Sequence, residues 1–200
     1  MRCRWLLASI AVGFLGATLP AFSQVRPSAT ESGLPFVVGS GFSNFDVDFG
    51  GSDNREDGGA LWVDWTIRRV PRKLDGLGIE ITARDLSLAP SAAVPGMRYD
   101  TAAGGAIYHY PRFQSVRPYG KFQYGFGSVD FPPFGAYAHD TRNFYAMGGG
   151  ADFHAWNHVW LRVDYEYQRW QALFGSATHL TPNGFTIGPQ FDFSLHHNRQ

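Results

Sequence analysis

WLRVDYEYQRW, from Trp160 to Trp170, reads as two interleaved rows. Leu161, Val163, Tyr165 and Tyr167 alternate with Arg162, Asp164, Glu166 and Gln168. Successive strand residues point to opposite sides, so this is a β-strand with one apolar and one ionic face. A helix would scatter each row around its circumference.

The same alternation recurs on both sides of this stretch. From Ala60 to Arg69, Leu61, Val63, Trp65 and Ile67 oppose Asp64, Thr66 and Arg68; from Leu77 to Ser87, Leu77, Ile79, Ile81 and Ala83 oppose Gly78, Glu80, Thr82 and Arg84. From Pro118 to Asp130, Phe122, Tyr124 and Phe126 oppose Lys121, Gln123, Gly125 and Gly127. From Gly184 to Phe193, Phe185, Ile187, Phe191 and Phe193 oppose Thr186, Gly188, Gln190 and Asp192. Asn143 to His154 and His158 to Trp170 complete the clear segments, while Pro35 to Phe49 and Arg98 to Tyr110 alternate poorly and leave their registers open. Eight extended segments form an even count that suits a closed, all-β, eight-stranded antiparallel up-and-down barrel.

Connections after the second, fourth and sixth segments are fairly short: Val70 to Gly76, Pro111 to Arg117 and Ala155 to Asn157. The others, Gly51 to Gly59, Leu88 to Met97, Phe131 to Arg142 and Gln171 to Asn183, run longer. Short turns at one rim and long loops at the other are the pattern of a transmembrane barrel, with the short turns and both chain ends in the periplasm.

Alternation does not say which face points inward, because a lipocalin-like soluble barrel has an apolar lumen. Gly78, Gly125, Gly127, Gly148, Gly150 and Gly188 lie on the polar face, where small residues make room in a narrow interior. Aromatic residues collect at strand ends on the apolar face, as membrane-interface girdles do. The strands also run to about 10 residues or more, enough to cross a bilayer when tilted. The expectation is therefore a lipid-facing row of Leu61, Val63, Trp65, Ile67, Ile79, Ile81, Phe122, Tyr124, Phe126, Leu161, Val163, Tyr165, Tyr167, Phe185, Ile187, Phe191 and Phe193. Asp64, Arg68, Glu80, Arg84, Lys121, Asp152, Arg162, Asp164, Glu166, Gln190 and Asp192 would form the lumen network. Such charges are stable out of water only when paired, so the interior is expected to be plugged, with no sizeable pore.

At the start, Arg2 and Arg4 precede an apolar run from Trp5 to Leu19, then Pro20 and Ala21-Phe22-Ser23. That is the layout of a cleaved signal peptide over residues 1–23, followed by a short periplasmic segment, 24–34, the barrel, 35–193, and a tail, 194–200. Cys3, the single cysteine, falls in the removed part. The mature charge of about −2 points to no nucleic acid.

RPYGKFQYGFG (Arg117 to Gly127), FYAMGGGADFH (Phe144 to His154), WLRVDYEYQRW and LTPNGFTIGPQFDF (Leu180 to Phe193) resemble the bacterial outer-membrane β-barrel domain family, small barrels like the membrane half of outer-membrane protein A. The resemblance spans nearly the whole mature chain and implies a location in the bacterial outer membrane. Family members commonly end on an aromatic residue read during assembly, whereas here Phe193 is followed by Ser194 to Gln200. Pro189 removes a ladder donor from the last strand and implies a bulge or weak seam beside the first.

Candidate chemistry is weighed against plainer roles. Asp46, Asp48, Asp53, Asn54, Glu56 and Asp57 could offer oxygen to calcium, but their spacing fits no calcium loop, and a solvated external loop is the simpler reading. His196 and His197 form a tail, and Asp152 with His154 a structural lumen pair. Phe134, Tyr137 and Phe174 read as outer-boundary aromatics. No metal, cofactor or catalytic residue is assigned. The leading expectation is a non-enzymatic, monomeric, surface-exposed barrel whose partners are outer-membrane lipid and lipopolysaccharide, with assembly machinery and periplasmic chaperones during biogenesis. The alternatives are a lipid A-modifying hydrolase or acyltransferase, for which no local pattern joins Ser, His and acid, and a secreted lipocalin-like barrel holding a small apolar ligand.

Overall fold

A computed structural model describes residues 36–47, 55–67, 70–71, 74–88, 96–110, 115–131, 138–172 and 179–193. The chain divides into Met1–Ser32, outside the described residues, and Gly33–Gln200, which holds every strand below. The strands are β1 (Phe36–Asp46), β2 (Arg55–Thr66), β3 (Leu77–Leu88), β4 (Met97–His109), β5 (Val116–Phe131), β6 (Ala138–Trp156), β7 (Val159–Trp170) and β8 (Asn183–Asp192). Each pairs antiparallel with the next, and β8 pairs with β1 to close the barrel.

The strands extend past their apolar stretches toward the long loops. β2 begins at Arg55 rather than Ala60, and β6 begins at Ala138 rather than Asn143. Ladder hydrogen bonds depend on the backbone, so pairing continues where side chains turn polar, as in Asp57↔Ser87 and Asp130↔His139. The connections expected to be short are uneven: two residues join β6 to β7, where Asn157 has φ 45°, but ten, 67–76, join β2 to β3 and end on Gly76 at φ 105°, more than the six, 132–137, between β5 and β6. A side chain at Gly76 would also strike the His109 carbonyl, 2.0 Å from an added Cβ.

The orientation of the wall follows from exposure along β7. Leu161, Val163 and Tyr165 are 39%, 39% and 57% exposed, while Arg162, Asp164 and Glu166 between them are 2%, 2% and 0% exposed. The apolar row faces outward and the ionic row lines the axis, which overturns the lipocalin-like alternative. The rest of the expected outward row is exposed likewise, from Leu61, Val63 and Trp65 through Ile79, Ile81, Phe122, Tyr124 and Phe126 to Tyr167, Phe185, Ile187, Phe191 and Phe193. Ile67 departs from it: it lies past the end of β2, half-buried, its amide bonded to the Leu77 carbonyl.

β1 and β4 alternate poorly because their contrast is reversed in part. β4 turns Tyr99, Ala103 and Ile107 inward and presents Ala102, Gly104 and Ala106 outward. β1 sends Phe45 inward and Ser40 outward. Pro189 opposes Ser40 at the closing seam. The β1–β8 ladder pairs Gly39 with Gln190 and Phe42 with Ile187 and breaks between them, in unchanged register, so the seam is interrupted rather than bulged.

Candidate functional site

The lumen is filled in layers. Nearest the rim that carries β1's start and β8's end, Arg117 binds Asp192 at 3.1 Å and lies 3.8 Å from the centre of the Trp160 ring. In the next layer Arg162 donates from Nε to Asp152 (2.9 Å), from Nη1 to Glu80 (2.6 Å) and from Nη2 to Asp64 (2.6 Å). Lys121 Nζ reaches Asp164 at 2.6 Å, Glu166 at 2.9 Å and Glu80 at 3.2 Å, and Arg84 grips Glu166 through two bonds of 3.0 and 2.7 Å.

These three cations meet five carboxylates, all buried, and further side-chain donors help satisfy the excess. Tyr119 OH donates to Asp164 (2.8 Å), Gln123 to Glu80 (2.9 Å), Gln168 to Glu166 (2.8 Å), and His109 Nε2 lies 3.3 Å from Asp152. The void within this layer holds about 10 Å³, room for roughly one water. The expected lumen residues Asp64, Glu80, Arg84, Lys121, Asp152, Arg162, Asp164 and Glu166 thus meet in one network. Gln190 is buried too, but accepts from Trp62 Nε1 at 2.9 Å instead. Arg68 lies outside the described residues.

One expected pair does not form. Asp152 is bound by Arg162 and His109, whereas His154 is exposed at the rim, with Nε2 2.9 Å from the Asn157 carbonyl oxygen. Alternation places 152 and 154 on one side, but the strand has by then passed the lumen mouth.

The long-loop half of the lumen is apolar, which the sequence reading missed. Phe45, Val47, Leu86, Met97, Tyr99, Val129, Phe144, Trp170 and Leu180 form a buried cluster, with Trp170 between Phe144 and Tyr99 at centroid distances of 5.1 and 4.9 Å. Gln168 joins it to the ionic layer, its Oε1 accepting from Trp170 Nε1 at 2.8 Å and from the Tyr99 hydroxyl. The lumen glycines open space for indoles as well as charges: a Cβ on Gly127 would stand 2.0 Å from the Trp170 ring, and one on Gly39 2.2 Å from Trp62. The signal available was the Gly-rich inward row opposite Trp62 and Trp170.

Glu56 corrects the loop reading. It lies within β2 opposite Phe45, fully buried, and neither carboxylate oxygen has a hydrogen-bond partner among the described residues. Asp57, on the other face, accepts from Asn44 at 2.5 Å, and Asp46 ends β1. Asp48, Asp53, Asn54, Phe134, Tyr137, Phe174, His196 and His197 lie outside the described residues.

On the outward wall the apolar belt gives way to a polar collar toward the long loops. Arg98 bridges Asp85 (3.0 Å) and Asp100 (3.1 Å) across β3 and β4. On the β5–β6 hairpin, Asp130 and His139 are direct cross-strand partners, as are Ser128 and Thr141 one step closer to the belt. His139 Nδ1 contacts an Asp130 carboxylate oxygen, and its Nε2 lies 3.2 Å from Thr141 Oγ1; Ser128 Oγ is 3.3 Å from Nδ1. The pairing of β5 with β6 supplies the link among acid, imidazole and hydroxyl that no local sequence pattern shows.

Several solved structures share the architecture. The chain superposes on neisserial surface protein A with a TM-score of 0.65 at 12% identity, over 79% of this chain and 97% of that one. It matches a major outer membrane protein of Thermus thermophilus (TM-score 0.56, 12% identity, 80% and 100% covered) and the attachment invasion locus protein of Yersinia pestis (0.54, 16%, 80% and 97%). No curated protein matches by sequence. The model of the outer membrane protein beta-barrel domain matches residues 9–193, and with a closed eight-stranded wall, apolar outside and ionic within, the chain belongs to that family of bacterial outer-membrane proteins.

Proposed function

We propose that this protein is a sealed, monomeric anchor in the outer membrane, with its short turns and chain ends in the periplasm and its long loops exposed, serving envelope integrity or contact with the surroundings. The observation that carries this is the lumen network, in which Arg84, Lys121 and Arg162 are each held by buried carboxylates across the barrel axis. The apolar cluster around Trp170 adds a second barrier on the loop side. The outward row from Leu61 to Phe193 would be bathed by lipid and lipopolysaccharide, and the assembly machinery and periplasmic chaperones would be met during biogenesis. The names of two similarly folded proteins, a surface protein and an attachment invasion locus protein, are in keeping with a role at the surface.

The chain reconstituted in a planar bilayer tests the seal: conductance of porin size would sink it. Proteolysis of intact cells at the loops containing Asp53 and Pro132 tests the orientation, with cleavage from outside expected and cleavage only after the outer membrane is breached counting against it.

A further inference from the structure

We propose that the outward face of the β5–β6 hairpin is an ester hydrolase site, with Thr141 as nucleophile, His139 as general base and Asp130 as positioning residue, acting on the acyl esters of membrane lipids. The order of contacts is the one acyl transfer needs. Asp130 takes the proton-bearing side of the ring, so Nδ1 is the donor and the Nε2 lone pair is aimed at the Thr141 hydroxyl, 3.2 Å away. The β5–β6 hairpin holds all three side chains on one face of a regular ladder, Asp130 opposite His139 and Thr141 opposite Ser128. His139 and Thr141 are exposed on the wall, facing what surrounds the barrel rather than the lumen.

Position selects the substrate. Ser128 follows Phe126, which is 59% exposed on the apolar belt, and Thr141, opposite Ser128, follows Asn143 and then Tyr145 on β6. Two residues of strand advance roughly 7 Å, so the hydroxyl stands where hydrocarbon gives way to headgroups, which is the depth of a lipid's ester carbonyls. A soluble ester would have to compete there with a far higher local concentration of lipid ester.

The reaction balances with water alone. Thr141 Oγ1 attacks the ester carbonyl carbon as Nε2 takes the hydroxyl proton. The bond from carbonyl carbon to lipid oxygen breaks, and that oxygen leaves as an alcohol carrying the proton from Nε2. Water then attacks the acyl-threonine ester, passes a proton through Nε2 back to Thr141, and releases a fatty acid. The net change is ester plus water to acid plus alcohol.

The test uses the full chain refolded into vesicles, which present lipid in both leaflets, so the result does not depend on the orientation or surface role proposed above. One set contains phosphatidylcholine alone and a second contains phosphatidylcholine doped with lipid A; released fatty acid is followed by mass spectrometry. Release from either pool supports the site, and the pool consumed names the source of the ester. Thr141→Val and His139→Gln should lower release by about 100-fold or more, with heat-modifiable gel mobility showing that each variant is folded. Asp130→Asn should lower kcat with little change in KM, and Asn44→Ala, on the β1–β2 pair away from the site, should leave release intact. Both lipid pools unchanged by the unaltered protein, or full release by folded Thr141→Val, would each overturn the proposal.

Discussion

Arg162 directs its guanidinium at Asp152, Glu80 and Asp64 from a site only 2% exposed. Removing one partner of a buried ionic set costs more than the set contributes, because the charges left behind lose their compensation. Arg162→Ala should therefore destabilise the barrel by about 3–5 kcal/mol, read as a lower urea midpoint for loss of heat-modifiable mobility. Glu56 is the opposite case. It carries desolvation cost with no hydrogen-bond partner among the described residues, so Glu56→Leu should raise the same midpoint, gaining about 1–3 kcal/mol. At Gly127 the neighbour is the face-packed Trp170 ring, so Gly127→Ala should cost about 1–3 kcal/mol through overpacking. All three effects were invisible in the sequence, because a charge, an acid and a glycine on an inward face look alike until the opposite wall is in place.

β8 shows how much a strand's role depends on its neighbours. Phe193 donates its amide to the Phe36 carbonyl at 3.0 Å, and hydrogen-bonded positions recur at every second residue. Counting back from 193 puts Pro189 at a donating position, where a proline has no hydrogen to give. Pro189→Val should restore one bond across the closing seam, gaining about 0.5–1.5 kcal/mol, and slow amide exchange at Phe42 and Gln190 on either side of the gap. The stacking of Phe36 on Phe193, 4.8 Å between centroids, clamps the seam's other end. β7 could be read from its own residues because both rows are pure; β1 and β4 could not, because β4's Tyr99 and Ile107 pack inside while Ala102 and Gly104 face outward.

For the barrel as a body, the separation of an apolar wall from an ionic axis makes lipid its stable surroundings. Val163, between Arg162 and Asp164, lies on the wall, and Val163→Arg should destabilise the membrane-inserted state by about 2–4 kcal/mol if it sits near the bilayer midplane, measured by unfolding from vesicles.

A chain read one residue after another was enough to yield the strand count and the alternation, because a two-residue period is local and survives without partners; it did not place Glu56 inside or take Ile67 off the wall. Closure was needed for the rest. It brought Arg162 to Glu80, 82 residues away, gathered the cap around Trp170 and buried Glu56, while the β5–β6 pairing alone set Asp130 beside His139. Which inward side chain meets which depends on the stagger of all the strands around the axis, a quantity that belongs to the ring and to no single segment.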